Sequence, residues 1–278
     1  EMSTVIISFT FIIFNFFYSV KHANAMEYSS SSSSHAPIIP VTHPTSEDIF
    51  TQPPEDLKYL FENNRQWVKR CLASNPNFFK NMIPRQKPRF LLIGCADSRV
   101  PAQEILGLKA GEIFVHRNVA NLVVNGDMNF LSVLQYAVEV LEVQDIIVLG
   151  HYGCGGVKAA SSIEFDHGLM EHWLRNIRDV IFSNIDELNS YDDDEEKHHR
   201  IVELSVREQC LNLYRNPIVQ QRQLANGGRF PRVHGMVYDI RDGLLSELKV
   251  DFAKELERNR LIYGVVKRPP VIPDYPTK

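Results

Sequence analysis

Two short apolar segments constrain the fold of this chain most strongly. Arg89–Gly94 (RFLLIG) and Asp145–Gly150 (DIIVLG) are uninterrupted runs with the length of a strand. A strand without apolar–polar alternation is typical of a parallel sheet that is buried on both faces. Helical periodicity lies between the two runs, in Asp127–Val143. Strands that alternate with helices predict an α/β fold, with a mostly parallel central sheet flanked by helices.

Further elements extend this pattern. Three more strands are predicted from apolar runs beside turn residues: Ile113–Arg117, Arg232–Ile240 and residues 244–250. Two more helices are predicted from apolar spacing: residues 168–187 and 198–214. An amphipathic helix from Leu57 to Leu72 is predicted as an N-terminal helical arm. The acidic run Asp192–Glu196 is predicted to be a solvated loop before the helix at residues 198–214.

The domain organisation follows from length and local composition. A chain of 278 residues allows one or two domains at about 150 residues each. Residues 26–54 contain a run of six serines and several prolines, which predicts a disordered linker because there is too little apolar surface to bury. We therefore predict a single domain over residues 55–270, followed by a tail over residues 271–278.

Residues 1–25 have two interpretations. Residues 5–20 are apolar and Ala23–Ala25 is typical of a cleavage site, which would make the segment a signal peptide of a secretory or organellar protein. The basic residues that precede such a run are absent, however, so we favour a start at Met26, an untranslated upstream segment and a cytoplasmic protein. The apolar run is too short and too interrupted by polar residues to predict a membrane span.

Charge and cysteine content exclude two classes of protein. A net charge of −4 argues against a nucleic-acid-binding protein, since such domains carry basic patches. Four cysteines in 278 residues are too few for a disulfide scaffold.

Both buried strands run directly into residues that can bind a metal. Cys95 follows the first strand, and His151 and Cys154 follow the second. Because ligands bind outside the carboxyl ends of strands in open α/β sheets, we expect these side chains to meet. Two thiolates and an imidazole suit zinc and leave a fourth position for water or substrate. The spacing of His151 and Cys154 matches one helical turn, which would let both face one ion. A redox pair is the alternative, but the sequence has no C-x-x-C motif.

Longer segments around these residues resemble the β-class carbonic anhydrases of bacteria and fungi. The segments are CADSRVPAQ (Cys95–Gln103), EIFVHRNVANLV (Glu112–Val123) and LQYAVEVLEVQDIIVLGHYGCGGV (Leu134–Val157), and the similarity extends from about Asn63 to Val250. The resemblance implies reversible hydration of carbon dioxide to bicarbonate and a proton. It also implies a homodimer or tetramer, with active sites near the subunit interface and the N-terminal helix on the partner.

The resemblance also implies site residues. One zinc ion per chain would be held by Cys95, His151 and Cys154, with Asp97 and Arg99 as the catalytic pair. The implied substrate pocket consists of Gln86, Phe114, Val119, Tyr136 and Gly155. In relatives whose site closes, the carboxylate that matches Asp97 becomes a fourth metal ligand. Those relatives also bind bicarbonate in a non-catalytic pocket, whose residues match Arg117 and Tyr238 here, whereas Leu92 replaces its tryptophan.

The residue types fit this chemistry. Two thiolates cancel the formal charge of zinc, which makes the metal less able to acidify its bound water. A carboxylate at Asp97 that accepts a hydrogen bond from the hydroxide would assist the reaction, and the Arg99 guanidinium could hold that carboxylate with two hydrogen bonds. Phe114 and Val119 would supply an apolar wall for an uncharged substrate. Two alternatives stay open at this point. One is hydrolysis of carbonyl sulfide or carbon disulfide on the same zinc site. The other is a non-catalytic zinc-stabilised module, in which Asp97 is the candidate fourth ligand.

Overall fold

A five-stranded sheet forms the centre of the structure, a computed structural model that describes residues 56–162, 168–249 and 262–264. The strands are β1 Phe90–Cys95, β2 Ile113–Asn118, β3 Asp145–His151, β4 Arg232–Tyr238 and β5 Leu245–Glu247. Their order is β2-β1-β3-β4-β5. The first four strands are parallel, and β5 pairs antiparallel with β4. The predicted α/β fold with a mostly parallel sheet is confirmed.

Helices connect the strands and precede the sheet. Within the described ranges they are α1 Lys58–Ser74, α2 Phe78–Met82, α3 Ala102–Ile105, α4 Met128–Gln135, α5 Gly155–Ser161, α6 Leu169–Ser183, α7 Ile185–Leu188, α8 Asp194–Arg215 and α9 Pro217–Ala225. A π-helical turn, Tyr136–Val140, extends α4, and a 3₁₀ turn, Val119–Asn121, follows β2. The predicted N-terminal helix and the three later predicted helices are all present, whereas the short helices α2, α3 and α5, and also α9, are not among the predictions.

The apolar runs that predicted β1 and β3 lie in the middle of the sheet. Alternate residues of a strand point to opposite faces, and Leu91 and Ile93 accordingly join the larger core with the helices α4, α6 and α8. Leu92 points to the other face, where it packs with Val100 and Ile147 in a smaller core. Burial on both faces explains why neither strand shows polar alternation.

Two glycines allow α8 to lie close against β3 and β4. An added Cβ at Gly150 would overlap Cγ2 of Val206, and an added Cβ at Gly235 would lie 3.2 Å from both Val206 Cγ1 and Cys210 Sγ. The helix backbone therefore approaches the sheet more closely than larger residues would permit.

The acidic run before α8 was predicted wrongly as a loop. The helix begins at Asp194, and the Asp193 side chain caps it by accepting from the Glu196 amide at 2.8 Å. Carboxylates are favourable in a first helical turn because they oppose the partial positive charge of the helix N-terminus. The last three residues of the run thus form the first turn of the helix, whereas Asp192 and the capping Asp193 precede it.

Chain contacts divide the molecule into two units, Glu1–Gln66 and Trp67–Lys278, and the sheet with α2–α9 belongs to the second. The predicted upstream segment, linker and tail, at residues 1–25, 26–54 and 271–278, lie outside the described residues. The domain boundaries and the cellular location therefore stay predictions. No helix in the described part of the chain has the length and apolarity needed to cross a membrane.

Candidate metal centre

Three buried side chains meet at the carboxyl-terminal edge of the sheet. Cys95 is the last residue of β1, His151 is the last residue of β3, and Cys154 directly precedes α5. The sulfur atoms of Cys95 and Cys154 are 4.0 Å apart, and their sulfurs and a His151 ring nitrogen lie within 4.8 Å of one another. The structure thus brings together the three residues that the sequence singled out as metal ligands.

The connection between His151 and Cys154 differs from the predicted helical turn. His151 still belongs to the strand, and the chain reverses through Tyr152 and Gly153 before α5 begins. Gly153 has a φ of 69°, a conformation that glycine adopts without the steric cost of a Cβ. A tight turn, rather than helical spacing, therefore places Cys154 beside His151.

The imidazole of His151 is oriented for metal binding. Its Nδ1 lies 3.0 Å from the carbonyl oxygen of Tyr152, and a carbonyl can only accept, so Nδ1 carries the proton. Nε2 then holds a free lone pair. This atom is buried and has no hydrogen-bond partner within the described residues. A buried ring nitrogen that faces two sulfurs, with its tautomer fixed from behind, fits a zinc site.

Helix α8 holds the turn that carries these ligands. The Tyr152 hydroxyl donates to Glu203 at 2.9 Å, and its ring lies 4.1 Å from the ring of His199. Burial, together with the neighbouring Glu203, raises the pKa of Tyr152 to about 12, so the phenol stays a donor. This anchor could not be predicted, because no sequence pattern links residue 152 to residue 203.

Cys95 and Cys154 influence each other's ionisation, because their sulfur atoms are in hydrogen-bonding contact. This contact holds the pKa of the Cys95 thiol below its usual range against the opposing effect of burial, and the nearby His151 and backbone amides act in the same direction. The same hydrogen bond and burial raise the pKa of Cys154. A divalent cation bound between the two sulfurs would stabilise both thiolates at once.

Asp97 and Arg99 form a forked ion pair beside the cluster. Arg99 Nε lies 3.0 Å from Asp97 Oδ1, and Nη2 lies 2.7 Å from Oδ2. These hydrogen bonds lower the pKa of Asp97 to about 2 against the opposing effect of burial. Asp97 Oδ2 is 3.8 Å from His151 Nε2, so an ionised carboxylate adjoins the candidate metal position.

Arg117 holds the loop that carries this pair. Its guanidinium donates to the carbonyl oxygens of Cys95, Asp97 and Val100 at 2.8, 2.7 and 3.0 Å. Tyr238 is half-buried at the end of β4, where it packs on the smaller core. The bicarbonate pocket at these two residues stays a prediction, and Nε and Nη2 of Arg117 are already bonded to the loop.

The residues of the predicted substrate pocket lie in two separate places within one chain. Val119 follows β2 beside α5, and Gly155 begins α5 next to Cys154. The Phe114 and Tyr136 rings pair elsewhere, with centroids 5.7 Å apart. Phe114 is in register with Leu91, four residues before Cys95 and thus about 13 Å from it along the strand. Gln86 lies in the exposed loop before β1, and thus also toward the amino-terminal end of that strand.

Fold and site together define an α/β protein with a Cys-His-Cys group that can hold a metal at the carboxyl edge of its sheet. A model of the carbonic anhydrase family matches residues 90–245. The chain is 48% identical to carbonic anhydrase of Emericella nidulans over 208 residues, which cover 75% of this chain and 90% of the relative. It is 37% identical to carbonic anhydrase of Candida albicans over 196 residues, which cover 70% and 68%. This chain therefore belongs to the carbonic anhydrase family.

Solved structures agree with this assignment and specify the β class. A tetrameric β-carbonic anhydrase of Sordaria macrospora matches with a TM-score of 0.65 and 36% identity, covering 69% of this chain and 96% of that one. A β-carbonic anhydrase of Coccomyxa, solved with acetazolamide, matches with a TM-score of 0.67 and 34% identity, covering 74% and 98%.

Proposed function

We propose that this protein is a zinc-dependent enzyme that reversibly hydrates carbon dioxide to bicarbonate and a proton. The observation that carries the proposal is the convergence of Cys95, His151 and Cys154 on one buried point, where His151 Nε2 has no other partner in the described residues. Membership of the carbonic anhydrase family supports the same reaction.

Three protein ligands would hold the metal, and one position would stay open for chemistry. When bound, zinc lowers the pKa of water enough to supply hydroxide near neutral pH. The metal-binding group found in the described residues contains three members, as catalytic zinc sites usually do, whereas structural zinc sites are closed by four. Because Arg99 holds both oxygens of Asp97, a catalytic site fits better than a closed structural one.

The Asp97–Arg99 pair would orient the nucleophile. An ionised Asp97 can only accept hydrogen bonds, so it would accept from the attacking O–H group and hold its lone pair toward the carbon of the substrate. The Arg99 fork keeps that carboxylate charged and fixed in place. Loss of the fork would free Asp97 to act as a fourth ligand, which is the closed state that the resemblance implies.

The division of the predicted pocket favours an oligomer. Phe114, Tyr136 and Gln86 lie too far along the sheet to serve Cys95 of their own chain, so we propose that they complete the site of a second copy. Strand β2 is an edge of the sheet, and such an edge can approach a partner. Phe61 and Trp67 of α1 are 66% and 41% exposed, which suits the proposed packing of this helix on the partner. The Sordaria relative is tetrameric.

Turnover of the zinc-loaded protein with three substrates tests the proposal. We expect kcat/KM for carbon dioxide, measured by stopped flow, to exceed by orders of magnitude the values for carbonyl sulfide and carbon disulfide. Acetazolamide, which the Coccomyxa relative binds, should abolish the carbon dioxide reaction. A preference for carbonyl sulfide or carbon disulfide would show that the same site serves the alternative hydrolysis.

A further inference from the structure

The turn between β3 and α5 contacts both parts of the candidate site through its backbone. The carbonyl oxygen of Tyr152 lies 3.0 Å from His151 Nδ1. The next carbonyl along the chain, that of Gly153, accepts from Arg99 Nη2 at 3.2 Å. The same Nη2 donates to Asp97 Oδ2 at 2.7 Å. Two successive carbonyls of one turn therefore bear on the orientation of a candidate metal ligand and of the ion pair beside it.

The sheet holds the start of this turn. The Tyr152 amide donates to the Tyr238 carbonyl oxygen at 3.0 Å, which continues the pairing of β3 with β4. This bond precedes the two carbonyls that face the site, so it leaves their orientation to the residues that follow. Gly153, with a φ of 69°, has no Cβ to restrict the chain there. The side chain of Tyr152 can supply a further restraint on both carbonyls.

Helix α8 holds the Tyr152 side chain by two contacts. The hydroxyl donates to Glu203 Oε1 at 2.9 Å, and the ring lies 4.1 Å from the ring of His199. A hydrogen bond to an ionised carboxylate is about twice as strong as one between neutral groups. The ring contact restricts the plane of the phenol, whereas the hydrogen bond fixes the position of its outer end.

A second bond holds the Glu203 carboxylate itself. Arg200 Nη1 donates to Glu203 Oε2 at 2.8 Å, and Nε of the same guanidinium contacts Glu187 of α7. The side chains of Arg200 and Glu203 are 32% and 26% exposed, so solvent screens this pair less than a fully exposed one. Both oxygens of Glu203 thus have a partner, one in the turn and one on its own helix. The carboxylate is therefore a fixed acceptor for the phenol.

We propose that Glu203 is a positioning residue for His151 and Arg99. Its carboxylate anchors the Tyr152 side chain and thereby the turn whose two carbonyls contact both residues. This inference rests on the proposed metal site. Without the bond to Glu203 the turn gains freedom, and the imidazole loses a fixed partner behind its metal-binding nitrogen. A metal ion would then be bound less tightly.

Cobalt can replace zinc as a probe of this orientation in the full-length protein. The ring N–H of a histidine bound to Co²⁺ gives a strongly shifted proton resonance that exchanges with solvent, and one histidine ligand predicts one such resonance. Its exchange rate and the Co²⁺ affinity are measured. Tyr152→Phe removes the hydroxyl and keeps the ring, so we expect faster exchange and about tenfold weaker Co²⁺ binding, the lower end for outer-shell changes. Glu203→Ala should have the same effect, because it removes the same bond.

Glu208 offers a matched control on the same helix. It pairs with Arg215 at 2.6 Å, as Glu203 pairs with Arg200, but this partner is the last residue of α8. Glu208→Ala should leave the exchange rate and the Co²⁺ affinity unchanged. An equal loss in this variant would show that the helix as a whole, rather than the bond from Glu203, orders the site, and would overturn the proposal.

A double variant tests whether Glu203 acts through Tyr152. If both residues act through one hydrogen bond, Tyr152→Phe combined with Glu203→Ala should bind Co²⁺ as tightly as either single variant. Additive losses of affinity would overturn the positioning role, and so would an unchanged exchange rate and affinity in Tyr152→Phe. Failure of the unaltered protein to bind Co²⁺ would instead overturn the proposed metal site.

Discussion

Arg117 Nη2 donates to the carbonyl oxygen of Asp97 at 2.7 Å, so a side chain of β2 fixes the backbone of the residue whose carboxylate adjoins the candidate metal position. Further bonds from the same guanidinium reach the Cys95 and Val100 carbonyls. We expect Arg117→Lys to lower kcat/KM for carbon dioxide about tenfold with zinc retained, because an ammonium cannot reproduce the rigid fork. An unchanged kcat/KM with altered bicarbonate inhibition would assign Arg117 to the bicarbonate pocket alone.

Asp97→Asn should keep the zinc and the fold but lower kcat about 100-fold, since it removes a charged hydrogen-bond acceptor from the site. The chain offers a matched control. Asp239 and Arg241 repeat the Asp-x-Arg pattern, with Arg241 Nη2 at 2.8 Å from Asp239 Oδ2, and Asp239→Asn should leave kcat unchanged. Full activity of Asp97→Asn in stopped-flow assays would exclude Asp97 as the acceptor.

Asp145 should make the fold sensitive to acid. Burial opposes its ionisation, but hydrogen bonds from Arg232, His234 and Arg89 outweigh burial and lower its pKa from 3.8 to about 2. A lowered pKa stabilises the fold above pH 3.8, and this contribution is lost as the pH falls through 2. This lowering of the pKa corresponds to a stabilisation of the fold by at most about 2 kcal/mol. The value is an upper bound because Arg89 and Arg232 are about half exposed, so solvent screens their interaction with Asp145. Urea unfolding of the protein and of Asp145→Asn between pH 5 and 2 should therefore show a steeper loss of stability in the unaltered protein. Equal slopes would contradict this role.

The contact between β3 and α8 predicts a cost for any side chain at residue 150. Gly150→Ala should lower the free energy of unfolding by about 1–3 kcal/mol, because its Cβ would overlap Val206. Gly126→Ala is the control, since an added Cβ there meets nothing within 4 Å. The double variant Gly150→Ala, Val206→Ala should be less destabilised than the sum of the single variants predicts. Strictly additive losses in denaturant unfolding would show that the two residues do not compete for space.

The sequence predicts those parts of the fold that depend on local pattern. Strands β1 and β3 are predicted correctly because burial on both faces requires uninterrupted apolar residues. The start of α8 was predicted wrongly, since the charges that suggested a loop are those that a helix N-terminus favours. Helix α9 was missed, although Asn216 caps it and Pro217 stands at its first turn, both of which are local signals.

The candidate site is predictable to a similar extent. Strand ends placed Cys95 and His151 at one edge, because the carboxyl ends of parallel strands meet there. The left-handed conformation of Ala120, which has a φ of 63° in the turn after β2, could not be predicted, since alanine carries no local preference for it. The contacts of Arg117 could not be predicted either, because its partners are backbone carbonyls, which every residue possesses.

Zinc content and carbon dioxide hydration, measured on the same preparations, test the central claim most directly. The unaltered protein and the control Cys71→Ser should each contain one zinc per chain and hydrate carbon dioxide. Cys95→Ser, His151→Ala and Cys154→Ser should each lose most of the zinc and, in proportion, the hydration rate. Full zinc content together with full hydration in Cys154→Ser would contradict the assigned metal site.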